Sequence, residues 1–158
     1  MLTSAKKALF NLTRFAGFDN PLGDALDQTK GVVVGKYSFA VQGGAVGSVN
    51  LLSDLSSPKS YVKLPLNAVI TNVYVDIVTA FTSTGNNGTI ALTLQSAGDL
   101  LAAVDADTLS GRAQGIPDNA VANTIKLTAE RSLLATFATN AILSGKANVF
   151  VEYVISEQ

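Results

Sequence analysis

From Gly31 onward the chain alternates apolar and polar positions with a period of two, the signature of half-buried strands. The clearest case is residues 64–96, LPLNAVITNVYVDIVTAFTSTGNNGTIALTLQS. There Val69, Thr71, Val73, Val75 and Ile77 share one face, while Ile70, Asn72, Tyr74, Asp76 and Val78 share the other. The first set is almost wholly β-branched and apolar, so it is the expected buried face. The polar run 83–88, STGNNG, suits a chain reversal because Gly and Asn tolerate positive φ. Ile90, Leu92 and Leu94 then repeat the apolar face, and the stretch as a whole predicts a long hairpin.

The same reading extends in both directions. Tyr37, Phe39 and Val41 share a face of a strand that Gly43-Gly44 ends, and 45–53 forms a second short strand. Residues 54–60 read as a loop, and 61–66 as an extended segment that Pro65 confines to an edge or a strand entrance. Residues 97–121 are less regular, with Leu100, Leu101 and Val104 in a helical turn or a short strand. Two more strands fall at 123–129 and 132–139. The closing segment sets Val149, Val151, Tyr153 and Ile155 against Phe150, Glu152 and Val154. About eight strands, short connections and no long helix predict an all-β fold: an antiparallel β-sandwich with jelly-roll topology.

The first thirty residues follow another rule. Thr3 or Ser4 caps an expected short helix over 3–16, in which Ala5, Leu9, Leu12 and Ala16 form a stripe that Phe10, Phe15 and Phe18 widen; Gly17 suits its stop. Pro21, Gly23 and Gly31 then break every pattern. The chain therefore divides into an N-terminal arm with a short helix, 1–30, and a β-sandwich domain, 31–158. Leu9, Leu12, Phe15 and Phe18 are the expected contact residues of the arm. Two readings stay open for it: docking on a partner surface, or packing on its own sheet.

Composition narrows what such a chain does. At 158 residues it is long enough for one domain with a sizeable core, 47% of it hydrophobic and only 15% charged. A net charge of −1 supplies no field for nucleic acid or an anionic membrane, and no apolar run approaches the ~20 residues of a membrane helix. The start lacks the continuous apolar core of a secretory signal, so folding in a cytoplasm is expected. The chain has no histidine and no cysteine, which removes the commonest general base, the commonest transition-metal ligand and any thiolate chemistry together. What remains is thin. Asp99, Asp105 and Asp107 lie close in sequence and Asp118 follows a proline, an oxygen-rich grouping without EF-hand spacing, better suited to capping turns than to calcium. Asp76 and Glu152 sit mid-strand and are the one pair of acids a glycosidase mechanism has to draw on. Lys6, Lys7 and Arg14 read as the solvated side of the arm. No phosphate-binding or dinucleotide loop is present. The expectation is a protein that is not an enzyme, with no cofactor and no metal site, whose sparsely charged surface meets other proteins.

The runs VKLPLNAVITNVYVDIVTAFTS and NNGTIALTLQSAGDLLAA, with the closing KANVFVEYVISE, resemble small structural proteins encoded among the head genes of tailed bacteriophages. The resemblance spans about residues 60–104 and 145–157 and is carried by strand grammar rather than by chemistry. It implies a virion protein of the capsid decoration (cement) type: a β-sandwich homotrimer on the capsid surface, partnered by the major capsid protein, with no nucleic acid and no membrane bound. It implies no catalytic residue. The alternative is a head-fibre or tail-associated adhesin for host carbohydrate. Such an adhesin needs exposed aromatics beside polar groups on loops, and the loops 54–60 and 105–122 contain none.

Overall fold

The protein is described from a computed structural model that covers residues 30–116 and 125–156. The expected helix over 3–16, its contact residues Leu9, Leu12, Phe15 and Phe18, and Asp118 lie outside the described residues.

The described residues hold eleven strands: β1 (Lys30–Ser38), β2 (Gly47–Asn50), β3 (Lys63–Leu64), β4 (Ala68–Ser83), β5 (Thr89–Thr93), β6 (Leu101–Asp105), β7 (Arg112–Gln114), β8 (Ile125–Lys126), β9 (Arg131–Ser132), β10 (Leu134–Ala138) and β11 (Ile142–Ile155). One sheet has the order β1-β11-β4-β7, with β8 also on β4; the other has β2-β10-β5-β6. Every pairing is antiparallel. The pairs β1–β11, β2–β10, β4–β7 and β5–β6 nest inside one another, as if a single long hairpin had been rolled up. The pairs β4–β11 and β5–β10 then complete the two sheets. This is the jelly-roll arrangement that the sequence predicts.

The core lies between the sheets. Val73, Val75, Ala147, Val149 and Val151 point inward from the first sheet, and Ile90, Leu92, Ala135 and Phe137 from the second. Tyr37 stacks on Phe81 with ring centroids 5.7 Å apart and tilts against Phe137 at 5.1 Å, tying the two layers together. The space left between the sheets is about 20 Å³, enough for one water and for no ligand.

Several expectations are corrected. The run 64–96 is not a hairpin: β4 bonds to β11, β7 and β8, whereas β5 bonds to β10 and β6 in the facing sheet. The polar turn exists where expected, with Gly85 at φ 69 and Asn86 at φ 55, but it carries the chain across the sandwich. Local alternation marks a strand and its buried face; it carries no information on which strand lies alongside.

The face assignment of β4 holds only in part. Val73 and Val75 are buried, but further back Ala68 and Ile70 are buried while Val69 and Thr71 are half-buried. Asn72 lies opposite Glu152 and Ile70 opposite Tyr153, so Thr71 is an extra residue without a counterpart on β11. This β-bulge inverts the alternation behind it.

Phe39 and Val41 belong not to a strand but to a helical turn, Phe39–Gln42, which Gly43 ends at φ 71 with its N–H on the Phe39 carbonyl. The turn makes the corner between β1 in one sheet and β2 in the other. Within the extended segment expected at 61–66 only the two-residue β3 is a strand, and it stops at Pro65; of the strand expected at 123–129, residues 123 and 124 lie outside the described residues and 125–129 hold the two-residue β8. Strands β6 and β7, inside the stretch read as irregular, take their places in the sandwich.

Candidate interaction surface

The outward face of the β1-β11-β4-β7 sheet is a ruled grid whose rows follow from the register. One row is Val32, Glu152 and Asn72. The next is Val34, Phe150, Tyr74 and Gln114, and the third is Lys36, Asn148, Asp76 and Arg112. The middle row is apolar and aromatic. Phe150 and Tyr74 stack with centroids 4.6 Å apart and planes 12° from parallel. The Arg112 guanidinium lies 4.2 Å from the Tyr74 ring centre, a cation–π contact that fixes the ring from its other side. Gln114 donates through Nε2 to Asn72 Oδ1 and to the Val73 carbonyl, both at 2.8 Å, which pins β7 to β4. Val32, at 61% exposure on the edge strand β1, adds an apolar side chain in the row alongside. An aromatic centre with an amide and charged surround has the anatomy of a protein-contacting surface.

The carboxylates do other work. Asp99 accepts from the backbone N–H groups of Leu94, Gln95 and Ser96, each at 2.8 Å, and so closes a turn. Asp105 accepts from Asp107 N at 3.0 Å, and Asp107 accepts from Ser83 N at 2.9 Å and from the Ser83 hydroxyl. Each is occupied by turn and loop N–H groups, and the described residues hold no cluster of three metal-ligating side chains. Asp76 and Glu152 lie on neighbouring strands and on one face, but they do not face each other. Asp76 is opposite Asn148, and Glu152 is four residues further along β11, about 13 Å at the rise of a strand. That exceeds the roughly 5–9.5 Å over which paired carboxylates hydrolyse a glycosidic bond.

Sequence reasoning missed Arg112 and β7 altogether. Three residues, Arg-Ala-Gln, are too few for a period, and only their pairing with Tyr74, Val75 and Asp76 reveals them as a strand.

Two facing sheets around a filled core, one of them with a patterned outer face, define a jelly-roll protein. No protein-family model matches the chain, and no curated protein matches its sequence. Among solved structures, a chain in the acidic stable capsid structure of Helicobacter pylori bacteriophage KHP30 aligns with a TM-score of 0.56 at 12% identity, over 82% of this chain and 90% of that one. A chain of the cyanophage Pam1 capsid asymmetric unit aligns with a TM-score of 0.54 at 19% identity, over 80% and 85%. A chain in the capsid of Ralstonia phage GP4 gives 0.53 at 18% identity, over 84% and 88%. At such identities the likeness is one of fold, and the fold shared is that of chains in phage capsids.

Proposed function

We propose that this protein is a structural component of a phage virion: a decoration, or cement, protein held on the outer surface of the capsid by the major capsid protein. The observation that carries the reading is the near end-to-end likeness, at least 85% of each neighbour's length, to chains in the capsids of three phages of different hosts. The residue inventory supports it. With no histidine or cysteine and with Asp99, Asp105 and Asp107 spent on turns, the chain offers surface rather than chemistry. The Phe150–Tyr74 row is the face that meets neighbouring capsid subunits, and the molecule works as a homotrimer, whose threefold symmetry multiplies individually weak contacts. Residues 1–30 act as an anchoring arm through Leu9, Leu12, Phe15 and Phe18. Burial of each such side chain contributes roughly 1.5–3 kcal/mol before the cost of ordering the segment.

The test adds purified protein to shells of the encoding phage assembled without it and measures co-sedimentation. The expected result is saturable binding that falls at least about tenfold in a Val32→Ser, Phe150→Ser double variant, a loss of about 1.4 kcal/mol or more. Absence of binding by the natural chain would remove the decoration role. A Phe15→Asp, Phe18→Asp variant is expected to keep the native circular dichroism spectrum and lose occupancy; normal occupancy would remove the arm's role and leave the sheet face as the contact.

A further inference from the structure

On the opposite sheet, where the chain turns into β2, lies a shallow pocket of about 290 Å³. Val41, Pro58 and Tyr61 form its apolar side, and Gln42, Ser48 and Asn50 its polar side. We infer that this pocket is a binding subsite for a neutral saccharide, sized for the terminal ring of a glycan. The inference goes beyond the virion role, because it concerns a different surface and a different class of ligand.

Four observations carry it. First, none of the lining residues is charged, so the pocket offers nothing to a phosphate, a carboxylate or a cation, and a neutral ligand incurs no charge desolvation there. Second, Tyr61 is 48% exposed, and Val41 beside it is 47% exposed. A sugar ring presents a face of C–H groups, and an open aromatic ring next to an aliphatic wall is a platform for such a face.

Third, the polar groups are two side-chain amides and a hydroxyl, of which Gln42 and Ser48 are held in defined orientations. Gln42 accepts from Ser38 N at 3.3 Å and donates to the Asn50 carbonyl at 2.6 Å, which fixes which end of its amide is which. It keeps one N–H and one lone pair to spare. The side-chain amide of Asn50 has no partner among the described residues, so its donors and its acceptor are both available. Ser48 is set by its hydrogen bond with Thr136, 2.8 Å between the two hydroxyl oxygens. Vicinal sugar hydroxyls each donate and accept, and side-chain amides answer both needs with one group. Fourth, the volume sits at the low end of small-molecule sites, about 300 Å³, which matches one ring and excludes a long oligosaccharide lying within it.

Leu52 explains why the site is there. It bridges to Lys36 on one side and to Tyr61 on the other, so β1, the end of β2 and the return of the loop 54–60 meet behind the pocket. Ser60, Ser57 and Asp54 close that loop on itself: Ser60 Oγ donates to the Ser57 and Asp54 carbonyls, and Asp54 N donates to Ser60 Oγ. The platform therefore rests on fixed backbone.

The test is saturation-transfer NMR on the full chain with the methyl glycosides of glucose, galactose, N-acetylglucosamine and rhamnose, each added alone. At least one is expected to receive saturation at its ring C–H protons and to shift the side-chain amide resonances of Asn50. Tyr61→Ala and Asn50→Ala are each expected to weaken binding about tenfold, whereas Tyr61→Phe, which keeps the ring, retains it. Both residues are partly exposed, so the backbone amide spectrum of each variant is expected to stay native, which separates loss of the site from loss of the fold. No transfer to any of the four glycosides, or transfer that survives Tyr61→Ala undiminished, would overturn the inference. Either result leaves the decoration reading standing, because the pocket and the Phe150–Tyr74 row lie on opposite sheets.

Discussion

Tyr37 lies at the junction of the two layers, 2% exposed, with its ring against Phe81 and Phe137 and its hydroxyl donating to the Gly43 carbonyl at 2.7 Å. Burial pushes its phenol up from the ordinary value near 10 to about 12. The sign follows directly: above pH 10 the unfolded chain releases this proton while the folded chain keeps it, so stability falls as pH rises through the window from 10 to about 12. Below pH 10 the contribution is fully present. Tyr37→Phe is expected to lose about 1 kcal/mol at neutral pH through the missing hydrogen bond and to show a flatter decline above pH 10 than the natural chain. Thermal melts across pH 8 to 12 read the difference, and parallel declines would show that Tyr37 does not set the alkaline limit. A second residue-scale device holds the crossing between sheets. Ser83, 4% exposed, gives its N–H and hydroxyl to Asp107 and accepts from Gly88 N at 2.8 Å. A Cβ on Gly88 would stand 2.5 Å from that of Ser83, so the close approach requires glycine.

Strand β4, at sixteen residues, dominates the element scale. Its alternation is interrupted at Thr71, which sets up an ordered series of expected outcomes. Val73 is fully buried, so Val73→Asp places an unpaired carboxylate in the core and is expected to prevent folding. Asn72, one residue away on the outer face, keeps an acceptor for Gln114 when changed to Asp and is expected to move stability by no more than about 0.5 kcal/mol. The bulge adds a finer contrast. Ile70→Ser is expected to cost about 2–4 kcal/mol and Val69→Ser under about 1.5 kcal/mol, the reverse of what unbroken alternation from Val73 requires. Urea unfolding of the variants ranks them, and a larger loss at Val69 would place the register irregularity elsewhere. The remaining shifts between β4 and β11 fall between Ile142 and Ala147, where Gly145 adopts φ 139 with Phe81 so close that a Cβ would stand 2.2 Å from its ring.

At the scale of the whole molecule, few charges are paired: among the described residues the one ion pair is Lys63–Glu130, 2.7 Å apart and exposed at the end of the sandwich, where it contributes little. The edge strand β1 presents Val32 outward, and the first sheet carries an aromatic row on its outer face. A surface so apolar favours association, and the proposed decoration role, with its threefold positions on a shell, favours a trimer. Light scattering of the purified chain at micromolar concentration is expected to give three times the 16.3 kDa chain mass. A monomer mass would overturn a preformed trimer.

Much of this is legible in the residues alone. The long strands β4 and β11, the turns at Gly43-Gly44 and 83–88, the buried positions Val73, Val75, Val149 and Val151, and the all-β sandwich class follow from local patterning, because each strand must hide one face whatever its neighbour is. The lack of histidine and cysteine likewise bounds the chemistry, since no fold can supply an imidazole or a thiolate that the chain does not contain. Which strands pair is decided only in three dimensions: β4 and β5 are adjacent in sequence and belong to different sheets, since pairing depends on closing the whole sandwich rather than on either strand's pattern. The bulge at Thr71 is invisible locally, because a Thr-Asn step between Ile70 and Val73 reads the same in or out of register. Both candidate surfaces belong to the same category. Phe150, Tyr74 and Arg112 are separated by long stretches of chain and meet through β11, β4 and β7, and Tyr61 stands just past a loop that by itself contains no aromatic. Only the tertiary structure sets it beside Gln42 and Asn50, because a binding surface is made of side chains that the fold, not the sequence order, brings together.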